Sequence, residues 1–373
     1  MESFIVRNIC TDNIETELER IGFDSSYKSI ASNKFQYKNI KIYDLTPAQA
    51  NILKQTALSV GADCATHRDV ITGNAKKSDA ILGGSFSQIK KIAAKLQSQP
   101  FLLKKLGEIL LYELKKTERK TKIVGILNVT PDSFSDGGKY FNPEDAIEHA
   151  LELIRDGADI IDIGAESTKP YSNPVPFEEQ ITRLKPVLEG LKDISIPISI
   201  DTRSSFVAKF GLENGASIIN DVSGMSYDPR IADIVAEHNA TIILQHSNGT
   251  PENMQDSPFY NDVVEEVYFN LINKIECAKH RGVKNIILDI GIGFGKTKEH
   301  NYELLNRIEE FFSLNLPLMV GVSRKSLLGV SDDDNNLKDS LSLALSYPLI
   351  KKGVDYLRVH NVKLHKQLID STI

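Results

Sequence analysis

The chain has 373 residues, 41% hydrophobic and 25% charged, which excludes a disordered polypeptide and predicts at least one large buried core. Its 44 basic and 50 acidic side chains leave a net charge of -6 and are mixed along the chain, which favours neither nucleic acid nor an anionic membrane as a partner. Cys10, Cys64 and Cys277 are scattered with no C-x-x-C spacing, so they predict buried or half-buried thiols in a reducing cytoplasm rather than disulfides or a zinc site. The first residues lack a basic start and a long apolar run, and no window of about 18 residues is free of charge, so neither a signal peptide nor a membrane span is expected.

From the N-terminus, strand-like runs at Phe4 to Val6, Ile40 to Leu45 and Ala80 to Leu82 alternate with amphipathic helices around Ile14 to Ile21, Pro47 to Val60 and Phe86 to Leu96. This pattern predicts a small α/β or α+β domain over residues 1–117, with no evident site. Gly83, Gly84 and Ser85 read as a strand-to-helix turn, with plain turn geometry favoured over an anion cradle. A last helix, about Leu102 to Lys116, runs into a basic segment ending at Lys120, read as a solvated connector.

Residues 118–373 repeat one unit: a short apolar run rich in β-branched residues, a Gly-rich or polar tip, then a helical stretch. Eight strands are predicted, at Ile123 to Asn128, Asp159 to Gly164, Ile196 to Asp201, Ser217 to Asp221, Thr241 to His246, Asn285 to Asp289, Leu316 to Ser323 and Val354 to His360. The runs are apolar throughout rather than alternating, as parallel strands are when both faces are buried. Asn142-Pro143 and Asp228-Pro229 have the composition of helix starts. Eight β-then-α units in about 250 residues predict a TIM (β/α)8 barrel, with a doubly wound sheet as the weaker alternative.

Chemistry in such a barrel sits at the C-terminal ends of the strands, and here every end is polar. The ends carry Asn128; Asp162 and Glu166 with Thr168; Asp201 and Arg203; Asn220 and Asp221; Gln245 and His246; Asp289; Arg324, Lys325 and Ser326; and Arg358 with His360. Any one could cap the next helix, as Asp201 and Asp221 each could. Eight together would be costly at one barrel mouth unless they bound a ligand. Asp201, Asn220, Asp289 and Lys325 mix donors and acceptors as the edge of a nitrogen-rich heterocycle requires. Arg358 and His360 suit a phosphate, with Asn128 and Thr168 as neutral donors or ligands to a cation.

Several strings resemble a known family: residues 126–138 (ILNVTPDSFSDGG), 166–170 (ESTKP), 200–202 (IDT), 219–221 (IND), 293–296 (GFGK), 323–326 (SRKS) and 358–361 (RVHN). Together they resemble dihydropteroate synthase over the whole predicted barrel. The resemblance implies condensation of 6-hydroxymethyl-7,8-dihydropterin diphosphate with 4-aminobenzoate, assisted by Mg2+, with an SN1-like loss of pyrophosphate. It assigns Asp201, Asn220, Asp289, Phe294, Lys325 and Arg358 to the pterin, with Asp201, Lys325 and Arg358 as the catalytic set. Asn128, Thr168, Arg358 and His360 would hold the diphosphate, with Asn128 toward the metal. Ser326, near the start of the helix after strand seven, would receive the aminobenzoate, helped by the closing-loop residues Phe134, Thr168, Lys169 and Pro170. A cytoplasmic homodimer, joined through helices on the far side from the site, is implied as well.

Three departures from the family pattern stand out: Gln245-His246-Ser247 in place of Met-His-Met, Ile290 in place of proline after Asp289, and Lys169-Pro170-Tyr171 in place of Arg-Pro-Gly. Two other readings stay open at this point: a methyltetrahydrofolate:corrinoid methyltransferase on a similar barrel, and a non-catalytic pterin-binding or assembly partner.

Overall fold

The computed structural model describes residues 7, 14–115, 119–130, 142–166, 174–249, 254, 256–330 and 334–372. The chain divides into two compact units, Met1–Thr117 and Glu118–Ile373.

The first unit holds β1 (Tyr37–Leu45), β2 (Asp63–Thr66) and β3 (Ser78–Ser85) in an antiparallel sheet of order β1-β3-β2. Its helices include Pro47–Leu58, Phe86–Leu96 and Leu103–Glu113, and Leu53, Leu82, Ile89, Ile92 and Leu110 form one buried cluster. Thr46 and Ser85 each open a helix with a reciprocal capping box, through Gln49 and Gln88. The glycines read as a turn lie inside β3 instead. A side chain at Gly83 would come 2.6 Å from the Tyr37 hydroxyl, so close strand approach explains that glycine. The run at β2 is too short and polar to have been read as a strand, and the expected strand at Phe4 to Val6 falls outside the described residues.

The second unit is a closed barrel of eight parallel strands: β4 (Lys122–Asn128), β5 (Ile160–Gly164), β6 (Ile198–Asp201), β7 (Ile218–Asp221), β8 (Thr241–Gln245), β9 (Asn285–Asp289), β10 (Leu318–Val320) and β11 (Tyr356–Val359). This is a TIM barrel, not a doubly wound sheet. Strand β10 is shorter than its apolar run predicts at both ends; at its start, Pro317 has no N–H to donate to the ladder. The Asp228-Pro229 pair precedes its helix, Ile231–Glu237, rather than capping it; the Asp228 carboxylate instead accepts from the Ser205 and Arg230 backbones. Cys64 is buried and burial pushes its thiol up to about 11, whereas Cys277 is exposed, contrary to expectation. Among the described residues, no helix is long and apolar enough to cross a membrane.

The barrel interior decides where the polar strand ends point. Val124, Ile160, Ile218, Ile243, Ile287 and Met319, with Tyr356 packed against them, form one buried cluster drawn from seven strands. Side chains two residues apart share a face of a strand. Stepping two residues toward the C-terminal ends therefore brings Asp162, Asn220, Gln245, Asp289 and Arg358 onto the next interior layer. Asp201 joins them because it is in register with Asn220. A layer of hydrocarbon thus carries a layer of charge directly above it.

Candidate active site

The Arg358 guanidinium bridges two carboxylates: Nε donates to Asp162 Oδ2 at 2.6 Å and Nη2 to Asp201 Oδ2 at 2.6 Å. Asn220 Nδ2 donates to the same Asp162 oxygen at 2.9 Å. Burial works against the Arg358 charge, but Asp162 and Asp201 more than offset it and hold its pKa above the ordinary value. Asp201 is pushed up to about 7, first by burial and then by the neighbouring Asp162, Glu166 and Asp221 carboxylates, with Arg358 pulling the other way. Three buried oxygens of this cluster, Asp162 Oδ1, Asp201 Oδ1 and Asn220 Oδ1, have no hydrogen-bond partner among the described residues. All three are acceptors, on three consecutive strands.

Across the mouth, burial raises the Asp289 carboxyl above its ordinary value, with Lys325 opposing that shift. Burial lowers Lys325 to about 8, countered by Asp289 and reinforced by Arg358. Its Nζ donates to the Ile292 carbonyl and lies 4.7 Å from the centre of the Phe294 ring. Just past the end of β10, the corresponding position is Gly321, where an added Cβ would stand in ordinary contact with Arg358 Cβ at 3.7 Å and Lys325 Nζ at 3.8 Å.

The pterin-edge candidates Asp201, Asn220, Asp289, Phe294, Lys325 and Arg358 therefore converge on one barrel mouth. Asn128 ends β4 exposed, and a Cβ placed on Gly164 would lie 3.7 Å from both Asn128 Oδ1 and Asp201 Oδ2. That glycine lies between an amide oxygen and a carboxylate, both at ordinary contact distance from where its Cβ would stand. His360 is half-buried; its Nδ1 is 3.0 Å from Ser323 Oγ, which also accepts from the His360 backbone N–H at 3.1 Å. Ser326 is exposed and opens a three-residue 3-10 turn, Ser326–Leu328, not the long helix, which runs over Asn335–Lys352. So short a turn, closed by Gly329 at φ +68°, supplies no helix dipole of the kind expected there. Phe134, Thr168, Lys169 and Pro170 lie outside the described residues.

Other polar residues at this end turn out to be structural. Asp221 accepts from the Ser223 N–H at 2.9 Å, the Ser223 hydroxyl at 2.7 Å and the Met225 N–H at 2.5 Å, so it does act as a turn cap. Lys296, the last residue of the GFGK string, is buried. Its Nζ contacts His246 Nδ1 at 2.8 Å and donates to the carbonyls of Gly291 at 2.9 Å and Phe294 at 3.0 Å. Burial first, then Lys296 and Lys274, push His246 down to about 2, which leaves its Nδ1 free to accept. The glycines nearby serve backbone approach: at Gly291, φ +67°, a Cβ would sit 1.8 Å from the His246 carbonyl oxygen. Gln245 points inward, and its amide donates to the Val222 carbonyl at 3.1 Å, so the departure from an apolar wall is satisfied within the protein. Asp162 is visible in the sequence as a polar strand end, but only the structure shows that it joins the Arg358 cluster, accepting from Arg358 and Asn220.

Comparison with known proteins agrees with this geometry. Residues 124–360 match the family described as pterin binding enzyme. The chain is 36% identical over 345 residues to a probable bifunctional folylpolyglutamate synthase/dihydropteroate synthase of Haloferax volcanii, spanning 84% of this chain but only 40% of that relative's length. It is 34% identical to the bifunctional dihydropteroate synthase/dihydropteroate reductase of Helicobacter pylori over 98% of this chain and 97% of the relative. Among solved structures, Xanthomonas albilineans dihydropteroate synthase with 4-aminobenzoic acid superposes with a TM-score of 0.63 at 35% identity, covering 69% of this chain and 93% of that one. The chain belongs to the pterin-binding enzymes, in the dihydropteroate synthase family. It is a transferase.

Proposed function

We propose that this chain joins 6-hydroxymethyl-7,8-dihydropterin diphosphate to 4-aminobenzoate. The observation that carries the reading is the set of three acceptor oxygens on Asp162, Asp201 and Asn220, buried beside Arg358 and without a partner among the described residues. Buried acceptors without donors are costly, and a flat ligand edge bearing N–H groups would satisfy them together. Asp289 and Lys325 would read the remaining edge, with Phe294 beneath the ammonium.

In this reading the bond between the exocyclic methylene carbon and the diphosphate oxygen breaks first, in an SN1-like step. The pterin ring delocalises the positive charge, and pyrophosphate leaves with the bonding pair. The aminobenzoate nitrogen then attacks that carbon and loses its proton to solvent or to the leaving pyrophosphate. Asp201 anchors the ring and stabilises its charge electrostatically. Arg358 and His360 face the diphosphate, and Ser326 with the closing loops takes the aminobenzoate. The Asn128 amide oxygen beside Asp201 suits a hard cation that draws its other ligands from water and substrate phosphates. Mg2+ held there would neutralise charge on the leaving group. A cytoplasmic homodimer belongs to the same proposal.

The test is turnover of purified protein with pterin diphosphate, 4-aminobenzoate and Mg2+, followed as dihydropteroate and pyrophosphate release. Folded protein that makes no product overturns the reading. Asn128, Arg358 and His360 at the strand ends, which a site without a diphosphate would not need, argue against a corrinoid methyltransferase. The intact cluster argues against a non-catalytic partner.

A second activity is favoured by the likeness to the bifunctional Helicobacter pylori relative, which runs the length of this chain. In it, a hydride donor such as a reduced flavin or nicotinamide would reduce the dihydropteroate product. Incubation with dihydropteroate and each donor decides it: tetrahydropteroate supports the second activity, and its absence with both donors rejects it.

A further inference from the structure

We propose that Asp339, in the helix Asn335–Lys352, is a positioning residue for the pterin diphosphate, holding Lys325 and His360 through their chain neighbours Arg324 and Asn361. The inference rests on the substrate assignment above.

Arg324 adopts φ +55°, a left-handed conformation that a non-glycine residue keeps only when its surroundings hold it there. Two contacts do so. Its backbone N–H donates to Ser342 Oγ at 3.1 Å, and its guanidinium grips Asp339 with both prongs, Nε to Oδ1 at 2.7 Å and Nη2 to Oδ2 at 2.9 Å. This turn separates two consecutive cations: Arg324 goes to the helix, while Lys325 goes to the Phe294 ring in the mouth.

On the neighbouring strand end, Asn361 Nδ2 donates to the same Asp339 Oδ2 at 3.0 Å. His360, one residue before it, is held by Ser323, one residue before Arg324. The ends of β10 and β11 are thus tied twice: the Ser323 tie falls on His360 itself, and the Asp339 tie falls on Arg324 and Asn361, next in sequence to Lys325 and His360. Asp339 is only 6% exposed. Burial would raise its carboxyl, but hydrogen bonds from Arg324 and Asn361 more than offset this and keep it below the ordinary value. A carboxylate fixed in this way sets where two substrate-facing side chains stand without touching substrate itself.

The test is Asp339→Asn, which keeps the side chain's shape and removes its charge. Expected are a rise of about tenfold or more in both the KM and the calorimetric Kd for pterin diphosphate, a lower kcat and a melting temperature within a few degrees of wild type. The exchange Asp339→Asn with Asn361→Asp restores one carboxylate and one amide to the cluster and is expected to recover part of the affinity. Normal pterin affinity in folded Asp339→Asn, or a double exchange no better than the single one, overturns the proposal. Wild-type protein that binds pterin diphosphate but makes no product would defeat the synthase reading alone, since the affinity comparison still reads the positioning role. Wild-type protein that does not bind the pterin overturns both.

Discussion

Two clusters of buried polar groups share the C-terminal end of the barrel and differ in what they lack. Around Lys296, the side-chain nitrogen meets one ring nitrogen and two carbonyls, and nearby Lys274 donates to the carbonyls of Ser223 and Gln245. Around Arg358, the cation is answered, but three acceptor oxygens find no partner among the described residues. Similar residue types at the same end of the barrel therefore do different jobs. The first cluster fastens the loop after β9 to the loop after β8, and the second leaves acceptors that no described residue answers. What marks the binding site is the unanswered atom, not the charge.

The sharpest way to break this contrast is to truncate each cluster in turn. Asp201→Ala or Lys325→Ala is expected to weaken pterin binding by about 100-fold or more, the order expected when one member of a buried, desolvated polar contact is removed. Titration calorimetry checks it, with melting temperature as the control for folding; near-normal affinity in both variants would mean that the site lies elsewhere. Lys296→Met should do the opposite, leaving two carbonyls and a ring nitrogen without their donor. Its expected loss is roughly 2–4 kcal/mol of stability in urea denaturation, from the usual cost of unsatisfied buried groups. An unchanged unfolding midpoint would remove the structural role given to that lysine.

The smallest expected effect is the pH dependence. Pterin N–H donors need Asp201 ionised, so affinity should rise through about pH 7, and it should fall above about pH 8 as Lys325 loses its charge. The limbs should differ from the plateau by about tenfold per pH unit. For stability the sign is reversed. The folded value for Asp201, about 7, lies above its ordinary 3.8, so its contribution is complete at pH below 3.8 and is lost as pH rises through about 7. The melting temperature of Asp201→Asn relative to wild type should therefore increase between pH 5 and pH 8. A flat difference would show that Asp201 titrates as an ordinary surface carboxylate.

Much of the barrel was legible because parallel strands buried on both faces must be apolar throughout, and the runs ending at Asn128, Gly164, Asp201, Asp221 and Asp289 stop where their strands stop. The site was legible for a related reason: polar residues at the end of an apolar run have few explanations. Less legible were contacts that depend on partners distant in sequence. Nothing local to Asp339, 15 residues after Arg324, marks it as that residue's partner. Asp221 and Asp201 look alike as strand ends, yet one caps a turn and the other presents an open oxygen. Asp228-Pro229 has the composition of a helix start, but its carboxylate is taken by Ser205.

By itself the sequence determined the repeat, the apolar strands, the polar strand ends and a family resemblance that the relatives confirm. These follow from periodicity and residue type, which are properties of neighbours along the chain. Only the tertiary structure decided which polar ends share a layer, which of their atoms are answered, and that the helix Asn335–Lys352 returns a carboxylate to the loop after β10. Closing eight strands into a ring brings together residues as far apart in sequence as Asp162 and Arg358, and the satisfaction of a hydrogen bond is a fact about that meeting.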